Sequence, residues 1–102
     1  MSLKGVYCLC ISVEEELEIR VGTLGRLYFP PGRHIYIGSA LNGLEARILR
    51  HMNTSLGIHK VVHWHIDYLL KEALVRIDSI YFLVTNEKKE CALAAEVSKR
   101  GE

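Results

Sequence analysis

Residues 5–13, Gly-Val-Tyr-Cys-Leu-Cys-Ile-Ser-Val, are apolar on both alternating faces. In an extended chain Tyr7, Leu9, Ile11 and Val13 fall on one side, and Val6, Cys8 and Cys10 on the other. A strand with two apolar sides belongs at the centre of a sheet covered on both faces. The remaining sequence has to supply the neighbouring strands and the covering layers. With 102 residues in all, there is room for one domain, residues 1–102, and a real but modest core.

Those neighbours are legible in order. Glu14-Glu15-Glu16 is a polar turn, and Leu17 to Val21 alternates as a hairpin partner until Gly22 and Gly25 break it. Tyr28-Phe29-Pro30-Pro31-Gly32 is expected to be a loop, because consecutive prolines cannot donate to a ladder. Arg33 to Gly38 is the next strand. Asn42 is a suitable N-cap for a helix through about Met52, with Leu44, Ile48 and Met52 at i, i+4 and i+8 as the stripe expected to face the core and Leu49 beside it. Arg47 and Arg50 fall off that stripe, and His51 borders it. Val62, Ile66, Leu69, Leu70 and Ala73 predict a second amphipathic helix of roughly three turns. Val75 to Thr85 reads as a further buried strand, and Asn86 as the cap of a last helix reaching about Lys99. The order β-β-β-α-α-β-α predicts an α+β fold: a small, mainly antiparallel sheet flanked by helices.

The formal net charge of +1 hides an uneven distribution. Arg20, Arg26, Arg33, Arg47, Arg50 and Lys60 share the middle of the chain with a single acid, Glu45. This is either a positive face that can meet a polyanion or a set of scattered, solvated charges. No apolar run approaches the roughly 20 residues of a membrane span, and Met1-Ser2-Leu3-Lys4 runs into strand-like sequence without a signal peptide. Cys8-Leu9-Cys10 does not suit a disulfide framework, so a reducing, cytoplasmic setting is expected.

Several side chains could carry chemistry, each beside a plainer role. Arg47, Arg50 and His51 stand at i, i+3 and i+4, neighbours on one helical surface. Guanidinium forks suit phosphate oxygens, and histidine can move a proton; the plain role is a solvated face. On the last helix, Leu93, Ala94 and Val97 lie at i+3, i+4 and i+7 from Glu90. The carboxylate therefore shares the stripe expected to face the sheet. It needs a cation or a metal there, unless it is simply a partly solvated acid at a helix start. Tyr7 and Tyr36 are otherwise core aromatics with satisfied hydroxyls. His59, His63 and His65 lack the second Cys or His pair of a zinc finger. Asp67, one turn after His63, is explained by a simple His–Asp contact. Trp64 points away from its helix's apolar stripe and could cover a loop or stack on a base.

Taken together, these pieces resemble the GIY-YIG nuclease superfamily. Gly5-Val6-Tyr7 stands for its first motif and Tyr36-Ile37-Gly38 for its second. Ser-Ala-Leu-Asn-Gly-Leu-Glu-Ala-Arg-Ile-Leu-Arg-His, from Ser39 to His51, looks like the motif helix with one extra residue around Gly43. The Tyr-Phe-Pro-Pro-Gly and His-Trp-His-Ile-Asp-Tyr-Leu segments are most similar to a small prokaryotic branch whose members are sometimes fused to an endonuclease III-type DNA glycosylase. Two departures are a longer insert between the second and third strands and Ser39, where the repair-endonuclease branch often has lysine.

The resemblance implies a catalytic set of Tyr7, Tyr36, Arg47, His51 and Glu90. Glu90 would hold one Mg²⁺ or Mn²⁺; Tyr7, aided by Tyr36 or His51, would deprotonate the attacking water; Arg47 would stabilise the transition-state charge. Arg33, Ser39, Arg50, Lys60, His63 and Trp64 would contact nucleic acid. The expected partner is DNA or RNA, with a DNA-repair protein as a possible second one, and no membrane. The expectation is a metal-dependent endonuclease acting by one-metal hydrolysis. The alternatives are a catalytically weak nucleic-acid-binding module assisting a repair partner, and a protein-interaction domain.

Overall fold

In a computed structural model that describes residues 3–85, the chain forms β1 (Gly5–Val13), β2 (Leu17–Arg20), a 3₁₀ turn (Gly22–Leu24), β3 (Arg26–Phe29), β4 (Gly32–Ala40), α1 (Leu44–Ser55), α2 (His65–Leu70) and β5 (Val75–Val84). The predicted last helix, with Glu90, lies outside the described residues. The architecture is α+β: a three-stranded antiparallel sheet ordered β4-β1-β5, a two-stranded antiparallel sheet β2-β3, and two helices. No described helix is long and apolar enough to cross a membrane.

β1 is the central strand, as its double-sided apolarity requires. Tyr7, Leu9, Ile11 and Val13 join Leu44, Ile66, Leu69 and Leu70 in the main core. On the opposite face Val6 and Cys8 are fully buried beside Cys10, Ile37 and Tyr81. Burying a side chain such as Leu9 or Ile11 contributes roughly 1.5–3 kcal/mol, so this strand is a major source of cohesion. Its register sets Tyr7 opposite Gly38 on one side and Phe82 on the other.

Five expectations need correction. The strand expected to be buried from Val75 is the edge strand β5 of the described sheet, in which Val75 alone is buried. Tyr28 and Phe29 are not loop: they end β3, which pairs with β2 in the register Leu17↔Phe29 to Arg20↔Arg26. The hairpin partner of the Leu17 strand is therefore β3, and Phe29, Leu17 and Ile19 pack on the core. The prolines stop the strand only after it has paired. The α1 N-cap is Gly43, in the left-handed region at φ 78°, rather than Asn42, and the helix runs on to Ser55.

The inward stripe of α1 also differs. Leu44 is buried and Ile48 packs on the core, but His51 and Thr54 are the buried residues further along, while Leu49 and Met52 are 56% and 42% exposed. His51, at i+7 from Leu44, lies as close to the stripe as Met52 at i+8, and contact with the sheet selects it. Finally, α2 has 6 residues rather than three turns. Asp67 accepts the backbone N–H groups of His63 and Trp64, which makes the helix begin at His65 and leaves Val62 before it.

Candidate functional site

The site is built where β1, β4, α1 and the start of α2 meet. Tyr7 projects from near the start of β1 towards α1, and the space its hydroxyl occupies exists because Gly38 lies opposite. A Cβ on Gly38 would come within 2.7 Å of Tyr7 Oη. Tyr36, two residues earlier on β4, shares that face, with its ring 6.3 Å from that of Tyr7.

From above, α1 presents His51. Its Nε2 is 2.7 Å from Tyr7 Oη, and both side chains are essentially sealed from solvent, at 0% and 1% exposure. Tyr36 meets the same imidazole edge-on at 6.0 Å. Trp64, at the N-cap of α2, closes the other side at 5.4 Å. The Arg47 and Arg50 guanidinium carbons lie over the Trp64 ring at 4.8 and 4.7 Å, cation–π contacts that tie α1 to α2. Arg47 Nη1 also donates to the Ser39 carbonyl at 2.9 Å, and Arg50 Nη2 to the Val61 carbonyl at 3.2 Å. Two fixed cations therefore stand beside a buried, hydrogen-bonded Tyr–His pair.

The electrostatics keep that pair neutral at rest. Burial pushes the Tyr7 hydroxyl up to about 12, with Tyr36 adding to the effect and Arg47 opposing it. Burial brings His51 down to about 4, against the pull of the Asp67 carboxylate and with Arg47 and Arg50 reinforcing it. Burial thus opposes proton transfer from Tyr7 to His51 on both sides, opening a gap between a raised acid and a lowered base. An anion bound by Arg47 and Arg50 would offset their effect on His51 and narrow that gap.

Tyr7, Tyr36, Arg47 and His51 thus converge, and Arg50 and Trp64 join them. Glu90 lies outside the described residues. Ser39 contributes its carbonyl, but its pairing with Val6 puts its side chain on the other face of the sheet. Arg33 pairs with Ser12 far down the ladder from Tyr7 and stands apart. Lys60 is exposed in the connection between the helices. His63 is exposed and meets Trp64 edge-on at 4.5 Å. The Trp64 ring that the sequence offers to a base already packs against both guanidinium groups and His51. Among the described residues, no group of three or more His, Cys, Asp or Glu side chains is arranged to hold a metal.

One residue acquires a role the sequence did not suggest. Asp67 is fully buried and takes the His63 backbone N–H at 2.8 Å, so the expected contact with the His63 ring is replaced by a backbone one. It also stands 3.7 Å from Arg50 Nη2. The available signal was its place three residues after Trp64, where a carboxylate caps a helix start.

A family model described as "Domain of unknown function DUF123" matches residues 6–102. No curated protein and no solved structure matches the chain.

Proposed function

We propose, given that the chain belongs to the DUF123 family, a GIY-YIG-like family, that it is a metal-dependent endonuclease hydrolysing phosphodiester bonds in DNA or RNA. The observation that carries this reading is the buried Tyr7–His51 contact of 2.7 Å with the Arg47 and Arg50 guanidinium groups clustered on the adjoining Trp64. Phosphodiester hydrolysis needs a base for water and positive charge for the pentacoordinate transition state.

The two arginines bind and orient the phosphate. Tyr7 is sealed from solvent in the free protein, so substrate binding has to open its hydroxyl oxygen to the attacking water. As the water oxygen bonds to phosphorus, its proton passes to Tyr7 Oη and the Tyr7 proton passes to His51 Nε2. The ester P–O bond then breaks, the leaving oxygen takes a proton from solvent, and His51 gives up the proton it holds to restore the resting pair. Tyr36 fills the wall beside the pair and, with Trp64, excludes bulk water. Arg47 stabilises the developing charge, a contribution typically worth about 3–4 kcal/mol in sites of this kind.

The described side chains do not make a hard-cation site by themselves, since no three His, Cys, Asp or Glu side chains are grouped among them. The metal reading therefore rests on Glu90. When bound there, Mg²⁺ or Mn²⁺ supplies positive charge to the phosphate oxygens. Cys8 and Cys10 are free thiols, in keeping with a reducing cytoplasmic setting.

A second reading is a nucleic-acid-binding module that assists a DNA-repair partner and cuts little. It is favoured by the resting protonation of the pair, with Tyr7 up at about 12 and His51 down at about 4. A plasmid-nicking assay with Mg²⁺ or Mn²⁺ separates the two. Under the first reading the wild type nicks, and Glu90→Ala abolishes nicking while remaining folded. Undiminished cutting by Glu90→Ala would end the metal assignment. Salt-dependent DNA binding without cleavage selects the second reading, and no binding to DNA or RNA at low salt removes both.

A further inference from the structure

Three polar atoms around the Tyr7–His51 pair are buried and meet no hydrogen-bond partner among the described residues: Arg50 Nε, His51 Nδ1 and Asp67 Oδ1. Leaving one such group unpaired costs about 1–3 kcal/mol, so three in one neighbourhood call for a common explanation. Asp67 is fully buried, and its other oxygen is fully engaged. Oδ2 accepts the backbone N–H of His63 at 2.8 Å and of Trp64 at 3.0 Å, and lies 3.7 Å from Arg50 Nη2. The carboxylate is thus anchored to the start of α2 and, through Arg50 and Trp64, to the roof over His51. The three orphans are complementary. Arg50 Nε can only donate, the carboxylate oxygen can only accept, and His51 Nδ1 donates in one of its two neutral tautomers.

We propose that Asp67 is a positioning residue for the Tyr7–His51 pair. Joined to His51 Nδ1 through one water shared with Arg50 Nε, it holds the imidazole in the tautomer protonated at Nδ1. His51 Nε2 is then the acceptor facing the Tyr7 hydroxyl. This inference rests on the reading of the pair as the acid–base apparatus of a nuclease. During the reaction the Tyr7 Oη–H bond breaks and a bond forms to His51 Nε2, producing an imidazolium. Asp67 stays ionised and balances that charge through the Nδ1 side.

The groups facing His51 among the described residues are Tyr7 from β1, Tyr36 from β4, Arg47 and Arg50 from α1, and Asp67 from α2. The two arginines oppose a protonated ring and Asp67 favours it. A merely structural Asp67 would cap α2 and leave the imidazole's tautomer and titration alone.

The test compares wild type, Asp67→Asn and Arg50→Met by ¹⁵N NMR of the His51 ring, alongside nicking rates. Asp67→Asn keeps an amide oxygen for the His63 and Trp64 backbone donors while removing the charge. Wild type is expected to show the Nδ1–H tautomer. In Asp67→Asn the ring loses its single tautomer and titrates below the wild-type value of about 4. Nicking falls about tenfold or more, a share of the 10²–10⁴ that acid–base catalysis contributes, with DNA affinity retained. In Arg50→Met the ring titrates above wild type.

An Nε2–H tautomer in wild type, or an unchanged His51 titration in both variants, overturns the proposal. Should Asp67→Asn fail to fold, the wild-type tautomer and the Arg50→Met titration decide it. Should the wild type cut nothing, the nuclease reading falls, while the ring spectra still decide whether Asp67 orients His51.

Discussion

Lowering the pH should destabilise this protein through His51 in particular, and the structure sets the size of the effect. The ring is wholly buried and held at about 4 rather than its ordinary 6.5. Above pH 6.5 it is neutral in the folded and unfolded chains and contributes nothing. Between 6.5 and 4 the unfolded chain takes up a proton that the folded chain refuses, so stability falls with pH. Below about 4 both states are protonated and the loss levels off. At ~1.4 kcal/mol per pH unit, the total comes to about 3 kcal/mol, a large share of the roughly 5–15 kcal/mol typical of a domain.

Carboxylates add their own loss at the acid end, below the ordinary 3.8 of Asp78 and 4.5 of Glu45. Asp78 is held low by the Ser12 hydroxyl and Arg76, and Glu45 by its own backbone N–H and that of Leu3. The informative quantity is therefore a difference between variants. His51→Gln keeps an amide able to meet Tyr7 Oη but cannot titrate. Urea unfolding at pH 7 and at pH 4 should show the wild type losing about 3 kcal/mol more than His51→Gln on acidification. Equal losses in the two proteins would refute the picture of a desolvated imidazole crowded by two arginines.

Gly38→Ala should push Tyr7 aside, because the new Cβ would sit 2.7 Å from Oη and 2.8 Å from Cζ. We expect a loss of about 1–3 kcal/mol in stability by denaturant unfolding, together with altered Tyr7 and His51 ring resonances. Arg47→Ala should lower the nicking rate far more than DNA affinity, as measured by single-turnover kinetics beside a binding titration. Lys60→Ala, exposed and away from the pair, should do the reverse: uniformly weaker binding and a shallower dependence on salt, by about one charge.

Which parts of this arrangement could be read in the chain follows from the range of the forces involved. β1 was legible because its apolarity on both faces is a local pattern with one solution, the sheet centre. Tyr7, Tyr36, Arg47 and His51 were each legible as candidates, and their convergence follows once β1 and β4 pair in register with Tyr7 opposite Gly38. The rotation of α1 was not legible. Leu44 and Ile48 are compatible with either His51 or Met52 completing the stripe, and apolarity favours Met52. Spacing along the chain pairs Asp67 with the nearby His63 ring, because it says nothing of the carboxylate's actual company. That company is two backbone N–H groups and Arg50, brought from another helix. Tyr28 and Phe29 look like loop in the sequence because the prolines after them are conspicuous, whereas the strand that pairs with them is not.

By itself, then, the sequence determined the α+β class, the central strand and the chemical inventory of the site, all of which depend on residue type and short-range period. Tertiary structure decided that a histidine rather than a methionine turns inward. It also decided that two arginines gather on one tryptophan and that a buried carboxylate stands behind them. The physical reason is that burial energy is assigned only when surfaces meet. A polar ring can displace an apolar side chain when a tyrosine hydroxyl waits opposite it at 2.7 Å.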